Sequence, residues 1–180
     1  MNQPLAEDAP VEAVIERAKQ YVSLNALSDA VTVLEGVPNR RPDALFLLAR
    51  VHEERRDSHS AISTLEEAAS LITDDTGPDA EVGRQIYKGL ANNLRRAGRY
   101  QEAEERLREA LQRFPNSQGF FLFELGLHNQ MGGRFKAALD YYESAAEMDP
   151  RYRRQVAAAI GQLKVKTPAC ILRPTKLATR

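Results

Sequence analysis

One spacing of large and small apolar residues recurs along this chain, and each recurrence carries the periodicity of two short helices. The clearest instance is residues 119–152, GFFLFELGLHNQMGGRFKAALDYYESAAEMDPRY. Leu122, Leu125, Gly126 and Asn129 share one face of a first helix. Gly132 and Gly133 predict its stop, because glycine supplies the positive φ that a helix end commonly needs. Phe135, Ala138, Tyr142 and Ala145 then recur at helical steps, and Asp149-Pro150 closes the second helix. Pro150 lacks the N–H of a helix interior but suits the first turn of a following helix. Small residues set among large ones let two helices interlock closely.

The same spacing returns in residues 84–117 as Tyr87, Leu90, Ala91 and Leu94, then Gly98 and Tyr100, then Ala103, Leu107, Ala110 and Pro115. Residues 42–75 give Leu45, Leu48, Ala49 and His52, then Ala61, Leu65 and Ala68, with Arg56-Asp57-Ser58 as a turn that has no glycine. Thr73 stands where the closing proline is expected. Residues 11–41 hold a worn copy: Val14, Ala18 and Tyr21, then Leu27, Ala30, Leu34 and Val37. Arg17 replaces a leucine there, and Gly36 and Pro38 cut the second helix short.

This pattern resembles the tetratricopeptide repeat, a helix–turn–helix unit of 34 residues. The resemblance implies an all-α fold, a right-handed superhelix of about four helix pairs. Val156, Ala159, Ile160 and Leu163 repeat only the first-helix spacing, which predicts a capping helix over 153–164. The expected organisation is a flexible start over 1–10, a solenoid over 11–164 with copies 11–41, 42–75, 84–117 and 119–152, and a basic extended tail over 165–180. Extra residues 76–83 separate two copies, with Gly77-Pro78-Asp79 read as a loop and a helix starting near Asp79. Ala103 and Ala138 are expected to tolerate least: a bulky side chain there overpacks a helix contact, at about 1–3 kcal/mol.

Charge and composition narrow the partner. The 25 basic and 25 acidic residues balance, so no global field recruits nucleic acid or a membrane surface. No apolar run is long enough to span a bilayer, and the acidic start does not read as a secretory signal. The lone Cys170 has no partner for an internal disulfide, and a reducing cytoplasm fits best. Residues 151–180 carry 8 basic residues and no acidic one, leaving 17 basic against 25 acidic in the first 150. That basic end has three readings: a solvated cap, a segment docking back on the acidic body, or a contact with anionic lipid or nucleic acid.

In the family that the pattern resembles, the first helix of each pair lines a concave groove that holds a peptide or helix. Carried onto this chain, the groove positions include Arg50 in the second copy, Lys88, Asn92, Arg95 and Arg96 in the third, and Phe120, Phe123, Leu127 and Met131 in the fourth. Asn92 is able to pair with both the N–H and the C=O of a peptide backbone. A protein partner, in particular an acidic peptide, is therefore expected. The alternative for the cations is a solvated face paired with Glu53 and Glu54. Lys88, Ala91 and Asn92 also resemble the start of a two-carboxylate clamp for chaperone tails; Glu124 and Ala158 depart from that pattern, while Arg154 keeps a cation. The apolar group at Phe120, Phe123, Leu127 and Met131 is either an exposed anchor or partly covered by the terminal helix.

Nothing points to catalysis, a cofactor or a metal. His52 and His59 stand seven residues apart with a turn between them, whereas a zinc-protease helix needs its histidines one turn apart. His52 falls on the core stripe and is expected to be buried. Cys170 has no histidine near it in sequence. The expected role is a non-enzymatic interaction module or adaptor; the alternatives are a regulatory or targeting subunit of an enzyme complex, and a self-associating homo-oligomer.

Overall fold

The computed structural model describes residues 10–37, 40–73 and 76–166. Among them are nine α-helices and no strand: α1 (Val11–Ser23), α2 (Leu27–Glu35), α3 (Pro42–Glu54), α4 (Ser58–Leu71), α5 (Gly77–Arg96), α6 (Tyr100–Arg113), α7 (Gln118–Met131), α8 (Phe135–Met148) and α9 (Arg153–Lys166). Single 3₁₀ turns, Pro115–Ser117 and Pro150–Tyr152, lead into α7 and α9. The readings made for residues 1–9, for Cys170 and for the tail beyond 166 lie outside the described residues; Val165 and Lys166, expected in an extended tail, belong to α9.

Proline opens the first helix of each pair. Pro10 precedes α1, Pro42 begins α3, Pro78 sits in the first turn of α5, and Pro115 and Pro150 begin the turns before α7 and α9. A first-turn position needs no N–H and accepts the fixed φ of proline. This corrects the reading of Gly77-Pro78-Asp79 as a loop: α5 starts at Gly77, and Asp79 lies inside its first turn rather than capping it.

Each pair is joined by the same turn. At Asn25, Arg56, Gly98 and Gly133 the backbone takes a positive φ of 57, 60, 78 and 73°. The following N–H donates back to the carbonyl five residues earlier: Ala26 to Tyr21, Asp57 to His52, Arg99 to Leu94 and Arg134 to Asn129, at 2.8–2.9 Å. This is the Schellman ending of a helix, which satisfies carbonyls that the helix leaves open. Of the glycine pair at 132 and 133, only Gly133 is left-handed. Asp57 also caps α4, accepting from the Ser60 N–H at 3.0 Å.

The backbone divides into two compact units, Met1–Ala103 and Glu104–Arg180. In the first, Ala18, Ala30, Val31, Leu34, Val37, Ala44, Leu48 and Val51 form one core where α1, α2 and α3 meet. Leu65 of α4 packs against α5, its Cδ1 within 3.4 Å of where a β-carbon of Gly89 would stand. In the second, Ala138, Tyr142, Ala145, Val156, Ala159 and Leu163 form a core between α8 and α9, with Leu122, Phe123 and Leu127 of α7 packed on it. Ala103 and Ala138, expected to tolerate least, are both fully buried.

Candidate protein-binding faces

In the first unit the first helices are α1, α3 and α5. Between α1 and α3 lies a cleft of about 100 Å³ lined by Lys19, Val22, Leu47, Arg50, Val51 and Glu54. Its floor is apolar, since Val51 is fully buried, and its rim is charged. Arg50 is exposed and makes no hydrogen bond or ion pair with another described residue. On α5, Arg96 is exposed, while Lys88, Asn92 and Arg95 are half-buried. The Asn92 amide oxygen accepts from the Arg95 guanidinium at 2.8 Å. One of its two recognition groups is therefore engaged on the same helix, and its NH₂ is the group left to a ligand.

The partner of Glu53 differs from the expected one. Its carboxylate accepts from the side-chain amide of Asn93, not from a cation on α5. Asn93 is fully buried and donates also to the Gly89 carbonyl at 2.9 Å, whereas its own side-chain oxygen has no hydrogen-bond partner. A buried amide linking two first helices is a residue that the sequence reading missed. The spacing marks position 93 only as a gap between Leu90 and Leu94, and Glu53 stands 40 residues away.

In the second unit the four apolar candidates on α7 separate. Phe123 is half-buried, its ring 5.4 Å from that of Tyr142 and 5.7 Å from that of Tyr152. Leu127 is half-buried against the α8–α9 core, and Phe120 stands edge-on to Phe121 at 5.1 Å. Met131 is 63% exposed. Phe123 and Leu127 thus contribute to packing, and Met131 is the member most open to solvent. Glu124, which breaks the clamp pattern, is buried. Near the turn, Asn129 donates to the Leu125 carbonyl at 2.8 Å and accepts from Arg134 at 2.7 Å, which explains a polar residue where a large apolar one is usual. Glu104 accepts from both Arg108 and Arg134 at 2.7 Å.

Among the described residues no three potential metal ligands come together, and no helix is long and apolar enough to cross a membrane.

Comparison with known proteins bears on the fold. A tetratricopeptide repeat profile matches residues 23–116, and a second one matches residues 88–153. No curated protein matches the chain by sequence. Among solved structures the chain is similar to MamA, at 18% identity over 80% of this chain and 75% of that one with a TM-score of 0.60. It is similar also to PilF of Pseudomonas aeruginosa, at 22% identity over 86% and 68% with a TM-score of 0.62. YrrB, a tetratricopeptide protein described as having an unusual peptide-binding site, matches at 17% identity over 89% and 78% with a TM-score of 0.58. At these identities the likeness is one of fold, and tetratricopeptide domains generally serve as protein–protein interaction modules. With one profile matching over half of its length and the described helices following one another in pairs, the chain belongs to the tetratricopeptide repeat family.

Proposed function

We propose that this chain is a non-enzymatic adaptor whose first unit binds an acidic peptide or helix of a partner protein along α3 and α5. The observation that carries this reading is the set of cations on those two helices: Arg50 and Arg96 exposed, Lys88 and Arg95 half-exposed, around the free NH₂ of Asn92. An extended peptide offers backbone carbonyls to that amide, and acidic side chains complement the guanidiniums. The cleft at Val22, Leu47 and Val51 adds apolar surface for an anchor residue. The peptide-binding site named for YrrB supports the reading by analogy of fold.

The test is a peptide display selection on the full chain, followed by calorimetry of the enriched sequences. Enriched peptides should be rich in Asp and Glu, and the double variant Lys88→Glu/Asn92→Ala should bind them at least about tenfold more weakly, the cost of losing a charge-assisted hydrogen bond. Peptides without acidic enrichment, or equal affinity for parent and variant, would tell against it.

A further inference from the structure

Arg50 lines the cleft between α1 and α3, so that cleft is continuous with the cationic face of α3. Counted back from the left-handed turn residues Asn25, Arg56 and Gly98, Val22 and Val51 hold in α1 and α3 the places that Glu53 and Asn93 hold in α3 and α5. Leu47 likewise holds the place of Gly89. The crevice between successive first helices therefore has two different linings. Between α3 and α5 it is bridged by the hydrogen bond that the Asn93 amide donates to Glu53. Between α1 and α3 aliphatic side chains stand in those places, no such bridge forms, and an apolar cleft is left open.

Size and lining limit what fills it. At about 100 Å³ it falls well below the roughly 300–1,000 Å³ of sites that hold a whole small molecule. It is also smaller than an apolar cavity of about 150 Å³, the size that takes a benzene ring. A single branched aliphatic side chain is the group that fits. The floor suits such a group, since Val22 and Leu47 are half-buried on the core of the unit and Val51 is fully buried. On the rim, Lys19 is paired with Glu16 at 3.3 Å, whereas Arg50 makes no hydrogen bond or ion pair with another described residue. Glu54, also on the rim and one turn further along α3, disfavours a carboxylate on its own side, so an acidic neighbour of the seated residue belongs beside Arg50.

We infer that this cleft sets the specificity of the ligand face: it seats one leucine, isoleucine or valine side chain of the bound acidic peptide and turns away aromatic rings. This seat presupposes that the face of α3 and α5 binds an acidic peptide, and it names the residue class that such a peptide must carry. On an open apolar surface a phenylalanine or tryptophan would bind more tightly than a leucine, because the larger side chain buries more area. A preference for the smaller aliphatic group is therefore the signature of the cleft.

The experiment titrates the full ¹⁵N-labelled chain with acetyl-Glu-Gly-X-Gly-Glu-amide, X being Ala, Val, Leu, Phe or Trp, and follows the backbone amide signals of Leu47 and Val51. Alternate residues of an extended peptide point to the same side, so a glutamate falls beside X near Arg50 in either chain direction. The leucine peptide should bind at least about tenfold more tightly than the alanine peptide, and the phenylalanine and tryptophan peptides should fall at least about fivefold behind it. Exchanging both glutamates for glutamine should weaken the leucine peptide, and that arm reports on the acidic ligand alone. If it binds as tightly as its parent while the order of X is kept, the acidic ligand is contradicted and the aliphatic seat stands. Equal affinity of the alanine and leucine peptides, tightest binding by phenylalanine or tryptophan, or no saturable shift with the leucine peptide overturns the seat, whatever the glutamine arm gives. Leu47→Ala enlarges the cleft from its own floor and should bring the phenylalanine peptide level with the leucine peptide; an unchanged order in the folded variant would also overturn it. A parent chain that sediments as a dimer and is made monomeric by the leucine peptide gives the cleft to a second copy, and overturns its assignment to a peptide.

Discussion

The ring of Tyr142 lies against the bare α-carbon of Gly126: a β-carbon at position 126 would stand 2.5 Å from both Cδ1 and Cε1 of that ring. The ring has little room to give, because its hydroxyl donates to Gln130 at 2.6 Å and it also packs against the Phe123 ring, 5.4 Å between centroids. Alanine in a helix interior is ordinarily worth up to about 1 kcal/mol over glycine. Overpacking here outweighs that gain, so Gly126→Ala should lose roughly 1–2 kcal/mol. Gly161, on α9, has nothing within 4 Å of its own β-carbon position, so Gly161→Ala should gain instead. Urea unfolding of both variants checks the pair; the same sign for both would contradict this packing.

The four interhelix turns need one left-handed residue each, and only two of the four use glycine. An L residue in that region costs about 1–2 kcal/mol, partly offset by the greater chain entropy of glycine. Arg56→Gly should therefore stabilise the chain by up to about 1 kcal/mol, and Gly133→Ala should destabilise it by a similar amount. Thermal unfolding of the two variants measures both; a lower melting temperature for Arg56→Gly would contradict the turn assignment.

Those turns show what was legible beforehand and what was not. Gly98 and Gly133 announce themselves, because glycine at a helix end is the cheapest way to a positive φ. Arg56, in a turn read without a glycine, and Asn25, which nothing announced, do the same work: there the demand comes from the hydrogen bond to the carbonyl five residues back, and the residue type yields to it. The start of α5 failed for the converse reason. Gly77-Pro78 reads as a loop, yet proline in a first turn is at home, and the helix simply begins earlier. The core stripes were readable since helical periodicity requires them. The Asn93–Glu53 link was not, because local spacing carries no information about a partner on another helix.

Tyr142 should make stability fall at high pH. Burial, followed by the nearby Glu124 charge, pushes its phenol up from 10.0 to about 12. The unfolded chain thus loses this proton first. The contribution is fully present below pH 10 and is lost as pH rises towards 12, to a limit of roughly 3 kcal/mol. Tyr142→Phe should flatten that decline in unfolding free energy measured from pH 9 upward; an unchanged slope would count against it.

His52 should act at the acid end. Burial holds its ring below the ordinary value of 6.5, the Arg55 charge adding to this while Asp57 and Glu35 oppose it. The unfolded chain therefore binds this proton first, so stability present above pH 6.5 is lost as pH falls through 6.5 towards the lower folded value. His52→Phe should reduce the drop in urea midpoint between pH 7.5 and pH 5. An equal drop in parent and variant would contradict it.

The most direct measurement of the central claim is the affinity of one acidic peptide, taken from the display selection, for the parent chain and for Arg50→Glu and Arg96→Glu. Both side chains are exposed, so neither exchange disturbs packing. Reversal of either charge should weaken binding at least about tenfold, and added salt should narrow the gap through screening. Parent-like affinity in both variants at low salt would contradict an acidic ligand on α3 and α5.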